Sequence, residues 1–586
     1  MRKSIISIVL LVLHSSLFAQ APRILWEKSY GGSLSETAQS MVPTTDGGYI
    51  ILGSTSSTDG EVTGQHGVND YWVVKIDDTG ALQWEKCLGG SMDDMGYSVI
   101  QTLDGGYIVA GGIESSDGDV TCGTVVEWDY WVVKLSATGA IQWNNCYGGT
   151  NWNTAYSIKQ TSDSNYVVLG TTYSTDGQVT GNHGSGDYWV IKISGVDGTL
   201  IWEKCYGGTS NDLANAIVTT SDGGFALAGA SHSNNGNVSG HHGDSTTTDF
   251  WIVKLDDTGG VQWENSYGGT ATDDAYSIQQ TNDGGYVVAG SSYSTNGQVT
   301  GHHGDSTTSD IWVIKLDGSG SLQWQRSLGG SSDDLAYSVI QTWDTGYALC
   351  GYTNSTDDDV TGLIGLNDYW IVKLDQTGDL QWQKPLGGRS NDMAHSIVET
   401  PDSGYVVAGG SSSTDGEVTG NHGLYDYWIV RLSPCVPDSA VIIVSGDTLK
   451  TVVSYNRYQW MHAGTPIAGA TNATFIMTDS GSYSVKVSDT NGCVGTSAVM
   501  FVPLSVPLIA EGVANINIMP NPTSGVLNIE NCNPDKVVIT DAIGQLKFEM
   551  VRPTFVSLQN LPAGIYIIKL LDTKGNMLFR SRVTKI

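Results

Sequence analysis

A tryptophan-marked motif returns seven times along this 586-residue chain, at a spacing of about 60 residues, the signature of a solenoid or propeller. One marker is the tryptophan of Leu-Gln-Trp-Glu-Lys-type segments: Trp26, Trp84, Trp143, Trp202, Trp263, Trp324 and Trp382. The other belongs to Asp-Tyr-Trp-Val-Val-Lys-type segments: Trp72, Trp131, Trp189, Trp251, Trp312, Trp370 and Trp428. A single unit of this kind cannot bury its own apolar face, so neighbouring units must share a core. Glycine supplies 74 residues and only 15% of the chain is charged. That composition suits many short strands joined by tight turns.

One unit shows the strands. Residues 97–102 read as a first strand, and Asp104-Gly105-Gly106 is a strong hairpin turn. Residues 107–112 form a second strand, followed by a long Ser/Asp/Gly loop. Residues 129–135 are a third, Ala137-Thr138-Gly139 turns the chain, and residues 140–143 are a fourth. Four antiparallel strands per unit with no helical period make a propeller blade. The array opens on a lone fourth strand, residues 25–30, and ends on a third strand, residues 426–432. The N-terminal strand then completes the last blade and removes an open edge. Pro385 lies in a fourth strand, which suits the outermost position. The expectation is an all-β chain: a seven-bladed β-propeller with four-stranded blades over residues 24–434, then two small β-sandwich domains. An open β-solenoid would leave the first strand unexplained. The units resemble the bacterial β-propeller repeats of large secreted proteins, through the Asp-Gly-Gly-Tyr turn, the Asp-Tyr-Trp strand and the Thr-Gly-x-x-x-Trp turn. That resemblance implies a fold and no single activity. Residues 77–84 also look like the tryptophan motif of quinoprotein propellers, but no further quinone-site signal accompanies them.

The two ends of the chain give an address. Arg2 and Lys3 precede a short apolar run and Leu17-Phe18-Ala19-Gln20, the pattern of a signal peptide over residues 1–19. No cysteine follows the cleavage site for a lipid anchor, and no other segment reads as transmembrane. Residues 435–505 carry Tyr458-Gln459-Trp460 and Asp479-Ser480-Gly481-Ser482-Tyr483, which resemble an immunoglobulin-like sandwich. Cys435 and Cys493 bracket it, and a disulfide between them suits an exported domain. Residues 506–514 are a linker. Residues 515–586 contain Met519-Pro520-Asn521-Pro522, then Asp541-Ala542-Ile543-Gly544, then Leu561-Pro562-Ala563-Gly564-Ile565-Tyr566. In this order at the C-terminus, these blocks resemble the type A sorting domain of the type IX secretion system of Bacteroidota. The resemblance implies Sec export followed by passage to the outer surface or release, with the type IX machinery as partner.

Charge and motifs bound the function. A net charge of -32 excludes nucleic acid and anionic membranes as natural partners. The eight cysteines contain no CxxC pair, so zinc is not indicated. Cys87, Cys146 and Cys205 share one repeat position and read as small buried apolar residues. Glu36, Asp94, Asn153, Asp212, Asp273, Asp334 and Asp392 recur between the fourth strand and the next first strand. Carboxylates there suit calcium, but recurrence in every unit favours turn capping. The same holds for Asp70, Asp129, Asp187, Asp249, Asp310, Asp368 and Asp426, which open the third strands. His66, His183, His242, His303 and His422 sit in Gly-x-His-Gly turns and read as turn packing. No cofactor is expected, calcium being the one candidate raised.

A ligand site is better sought where the repeat is broken. The second unit's loop reads Thr121-Cys122-Gly123-Thr124-Val125-Val126-Glu127-Trp128, and Asn151-Trp152-Asn153 adjoins it. Trp128, Trp152 and Asn153 are the candidate ligand-binding residues, since aromatics beside amides stack on sugars or grip peptides. Packing of a larger loop is the competing reading. Arg389 and His395 are further departures. The sequence holds no HExxH, P-loop or GxSxG motif. The expectation is a secreted or cell-surface, non-enzymatic binding scaffold for an extracellular glycan or protein. The alternative is a carbohydrate-active or other hydrolytic enzyme using the propeller loop face.

Overall fold

The computed structural model describes residues 22–585, apart from residues 124, 126, 435–439, 446–447, 456, 468, 478–480, 489–493, 503–515, 520–522, 531 and 542–544. The signal segment, the Cys435–Cys493 pair and the Pro520-Asn521-Pro522 block lie outside the described residues. Among the described residues no helix is long and apolar enough to cross a membrane.

Between Ile24 and Leu432 the chain forms seven four-stranded antiparallel sheets. The second is typical: Asp94–Gln101, Tyr107–Ile113, Asp129–Leu135 and Ile141–Tyr147 pair in that order. The first strand of each sheet packs on the sheet before it, and Glu36–Pro43 packs on Tyr405–Ser411 and Asp392–Glu399 of the last. The series therefore closes on itself, with the first strands innermost. The seventh sheet is completed by the N-terminal strand Ile24–Tyr30, which runs antiparallel to Asp426–Leu432 with Lys28 opposite Ile429. Pro385 lies in the outermost strand Leu380–Leu386, where a missing N–H costs nothing.

The core explains the repeated motif. Each third-strand tryptophan is fully buried, from Trp72 to Trp428. A buried indole N–H needs a partner, and the outermost strand supplies it: Trp72 donates to Glu85 at 2.9 Å and Trp312 to Gln325 at 2.8 Å. The preceding tyrosine joins neighbouring sheets. Tyr71 Oη donates to the Trp131 carbonyl at 3.2 Å, and Tyr427 Oη to the Trp72 carbonyl at 2.9 Å across the closing seam. A side chain at Gly111 would collide with Tyr71, since its Cβ would lie 2.6 Å from Tyr71 Oη. Glycine is therefore required there. On the turn side, each third strand carries a cation paired with the hairpin aspartate, buried in all but the third sheet, such as Lys75–Asp46 at 3.0 Å and Lys134–Asp104 at 3.0 Å.

One cysteine expectation is overturned. Cys146 is not a free apolar side chain but forms a disulfide with Cys122. The loop between the second and third strands of every unit folds back over the outermost strand of its own sheet, as Thr180 does on Glu203 and Ser239 on Glu264. In the second unit Cys122 occupies the position held by Gly64 and Gly181 elsewhere, which brings it to Cys146. Cys87, Cys205 and Cys350 are free and buried.

The rest of the chain forms a second compact unit. Ile442–Ser445, Thr448–Thr451 and Thr474–Ile476 make one sheet, and Arg457–His462 with Gly481–Ser488 centre another. Leu449, Trp460, Tyr483 and Val485 share one core. A further pair of sheets is built around Val526–Glu530 and around Lys536–Asp541 with Gly564–Leu571, enclosing Leu527, Ile539, Val556 and Ile568.

Candidate functional site at the inner rim

Every innermost strand carries a β-bulge, for example between Gly96 and Ser98. A bulge adds one unpaired residue and re-aims its side chain. The seven bulged positions are Gln39, Tyr97, Tyr156, Asn215, Tyr276, Tyr337 and His395, each half-buried. They meet across sheet boundaries. Tyr97 and Tyr156 ring centroids are 5.0 Å apart, Tyr276 and Tyr337 5.3 Å, and Tyr337 and His395 4.4 Å. The result is a largely aromatic collar around the inner opening. Burial lowers His395 to about 4, so its ring is neutral at physiological pH.

A cavity of about 610 Å³ opens beside this collar. It is lined by residues of the third, fourth and fifth sheets, including Trp152, Tyr156, Tyr173, Asn215, Asp274 and Tyr276. Two tryptophans from different loops meet at its edge. Trp128 and Trp152 stack with centroids 5.2 Å apart and planes within 6°. Gly112 makes room for Trp128, since a Cβ there would lie 2.6 Å from the indole. Trp152 Nε1 donates to Thr154 Oγ1 at 2.7 Å, which fixes the ring's rotation. Trp152 is 45% exposed, whereas Trp128 is half-buried behind it.

Asn153 has a different part. It is fully buried, and its amide donates to Asn151 O at 2.6 Å, Trp128 O at 3.2 Å and Asp129 Oδ1 at 3.1 Å. Its side chain clamps the two tryptophan loops together and cannot reach a ligand. Arg389 is exposed, 3.6 Å from Asp415. His395 belongs to the collar.

Asp274 was invisible as a site residue in the sequence. The equivalent positions of the other sheets hold Thr37, Met95, Thr154, Leu213, Leu335 and Met393. Asp274 accepts a hydrogen bond on Oδ1 from Thr248 Oγ1 at 2.6 Å. Burial raises its carboxyl above the usual range, against the Thr248 bond and the nearby His232 ring. Burial likewise raises the phenols of Tyr156, Tyr173 and Tyr276, so they stay neutral. Lys159, on the same strand as Tyr156, is lowered by burial but does not line the cavity.

The recurrent carboxylates and histidines hold turns. Asp94 Oδ2 accepts from Gly90 N at 2.7 Å, and Asp334 Oδ2 from Gly330 N at 2.8 Å. His66, His183, His242, His303 and His422 each bind the aspartate opening the next strand, at 2.6–2.9 Å. Among the described residues no group of three or more His, Cys, Asp or Glu side chains is arranged to hold a metal ion.

The chain is a propeller-like, all-β protein of repeated four-stranded sheets. Its residues 517–581 match the secretion system C-terminal sorting domain, so it is a cargo of type IX secretion, destined for the outer surface or the extracellular space. No curated protein matches the sequence. Among solved structures it is similar to the Neurospora crassa Pan2 WD40 domain, at 12% identity, a TM-score of 0.41, and coverage of 70% of this chain and 96% of that one. It is similar to the quinohemoprotein alcohol dehydrogenase of Comamonas testosteroni at 9% identity and a TM-score of 0.36, covering 74% of this chain and 80% of that one. PorZ of Porphyromonas gingivalis, described as an essential surface component of the type IX secretion system, aligns over 97% of this chain and 86% of its own, at 11% identity and a TM-score of 0.25. Likenesses this distant say nothing about activity.

Proposed function

We propose that the repeats form a seven-bladed β-propeller over residues 24–434, followed by an immunoglobulin-like spacer over residues 435–505 closed by Cys435–Cys493, then a linker and the sorting domain. On this reading the protein is a non-enzymatic binding scaffold outside the cell. Its ligand site is the inner-rim cavity beside Trp152, which engages an extracellular glycan or protein. The supporting observation is Trp152 itself. A large aromatic ring, backed by Trp128 and locked by Thr154, stands half-exposed at a cavity where the seven-fold repeat is broken. Rigid, amphipathic rings of this kind give contact area at little entropic cost. Asp274 is the single carboxyl among the cavity-lining residues, whereas glycoside hydrolysis uses a pair. Binding without turnover is therefore the favoured reading.

The test is an array of extracellular glycans and matrix proteins probed with wild type and Trp152→Ala. The variant should lose the wild-type signal while its stability falls by no more than about 1–2 kcal/mol, the size of one stacked pair and one hydrogen bond. Should Trp152→Ala instead cost the ~3–5 kcal/mol of a core truncation, the ring is packing and the site assignment falls.

A further inference from the structure

We infer that the inner-rim cavity takes a positively charged ammonium group, held in an aromatic cage of Trp152, Tyr156, Tyr173 and Tyr276 with Asp274 as its counter-ion. The inference rests on the reading of that cavity as the ligand site and specifies its chemistry. Three observations carry it. Four neutral aromatic side chains line one cavity, and the faces of such rings attract cations. The cavity also holds one carboxyl, placed there by a residue that no other sheet has at the equivalent position. Thr248 engages Oδ1 of that carboxyl, and none of the described hydrogen bonds falls on Oδ2. Lastly, no lysine or arginine is among the lining residues, and the chain's net charge of -32 favours the approach of cations. A neutral or anionic ligand would instead cover Asp274 without pairing it, which is costly for a desolvated charge.

Lysine side chains, choline headgroups and amino sugars share this chemistry, so the probes separate them. The full chain is titrated with Nα-acetyl-lysinamide, choline and glucosamine. Each is matched by a neutral counterpart: the Nε-acetylated amide, the tert-butyl analogue of choline, and N-acetylglucosamine. Tryptophan fluorescence and calorimetry are the readouts. At least one ammonium probe should bind, about tenfold or more tighter than its neutral counterpart. Asp274→Asn, which keeps the shape and the Thr248 contact, should abolish that preference without lowering the thermal midpoint. Wild-type binding should weaken as acid protonates Asp274, and Asp274→Asn should lose that part of the pH dependence. The titratable groups facing Asp274 are His232, Tyr188 and Tyr276. All three are retained in Asp274→Asn, so the comparison reads the part of the pH dependence that requires the Asp274 carboxyl. Neutral probes that bind as well as the cations, through Trp152 but regardless of Asp274, overturn the ammonium assignment and leave the ligand site standing. An absence of any ammonium binding overturns the assignment too, and the Trp152→Ala array then decides the site separately.

Discussion

At Thr345 the repeated hairpin turn forces a β-branched residue to φ +68°, where Gly47, Gly105, Gly223 and Gly284 sit in other units. Ser164 and Ser403 hold the same place at φ +65° and +63°. Left-handed backbone is costly for any residue with a Cβ, and more so for a branched one. Thr345→Gly should therefore raise stability by about 0.5–1 kcal/mol, the relieved strain exceeding the added freedom of the unfolded chain. A urea titration measures it, and a lowered midpoint would show the turn to be unstrained. The turn itself was legible because Asp-Gly-Gly is a local signal. The collar was not. Reading the second unit as a strand from residue 97 places Tyr97 at the strand's start, whereas the strand runs Asp94–Gln101 and Tyr97 is its bulge. One inserted residue breaks the two-residue alternation by which strand faces are read. The recurring Ala-Tyr-Ser triplet at residues 155–157, 275–277 and 336–338 was the available clue.

Between neighbouring sheets, the tyrosine-to-carbonyl bond is absent at two seams. Phe250 and Ile311 stand where Tyr71, Tyr130, Tyr188, Tyr369 and Tyr427 stand elsewhere. Gly290 keeps the close approach open in the sheet after Phe250, with no tyrosine hydroxyl beside it. Phe250→Tyr should place a hydroxyl near the Trp312 carbonyl and add about 1 kcal/mol, the usual net gain of a buried hydrogen bond. An unchanged or lowered thermal midpoint would mean the seam has no room. At this scale the strands and their order were legible, because tryptophan spacing and turn chemistry are local. The Cys122–Cys146 link was not, since it joins a loop to a strand of the same unit in only one of seven copies. A glycine position replaced by cysteine in a single unit was the one trace of it.

The whole molecule is poised between two sets of carboxyls with opposite shifts. Burial raises Asp94 and Asp368 to about 6 and Asp273 and Asp334 to about 7. The folded state then binds more protons than the unfolded chain, so stability falls as pH rises through this range. The hairpin aspartates behave oppositely. Burial opposes ionisation of Asp46, Asp104, Asp222 and Asp283, but threonine, lysine and backbone donors outweigh it and hold each at about 2. Their contribution is present above the unfolded value and lost as pH falls towards 2. Thermal midpoints should therefore peak near about pH 4–5 and decline on both sides. A midpoint that climbs from pH 5 to 8 would contradict the raising of these carboxyls by burial. The repeat array and the address were readable at this scale, since both are written in recurring or terminal motifs. The ligand was not, because the cavity gathers residues more than 120 positions apart, from Asn151 to Tyr276.

The closing strand gives the molecule a built-in test of its own completeness. Glu27 and Trp428, joined by a hydrogen bond at 2.8 Å, stand 401 residues apart in the chain. As the polypeptide leaves the ribosome, Ile24–Tyr30 emerges before the other strands of the repeats and waits for Asp426–Leu432, its one sheet neighbour among the described residues, which emerges last of the repeats. A chain interrupted anywhere between them keeps two unmatched borders, one at each end of the array, and unmatched borders invite association with other chains. The order of synthesis thus makes the final stitch a report that every copy of the repeat has arrived.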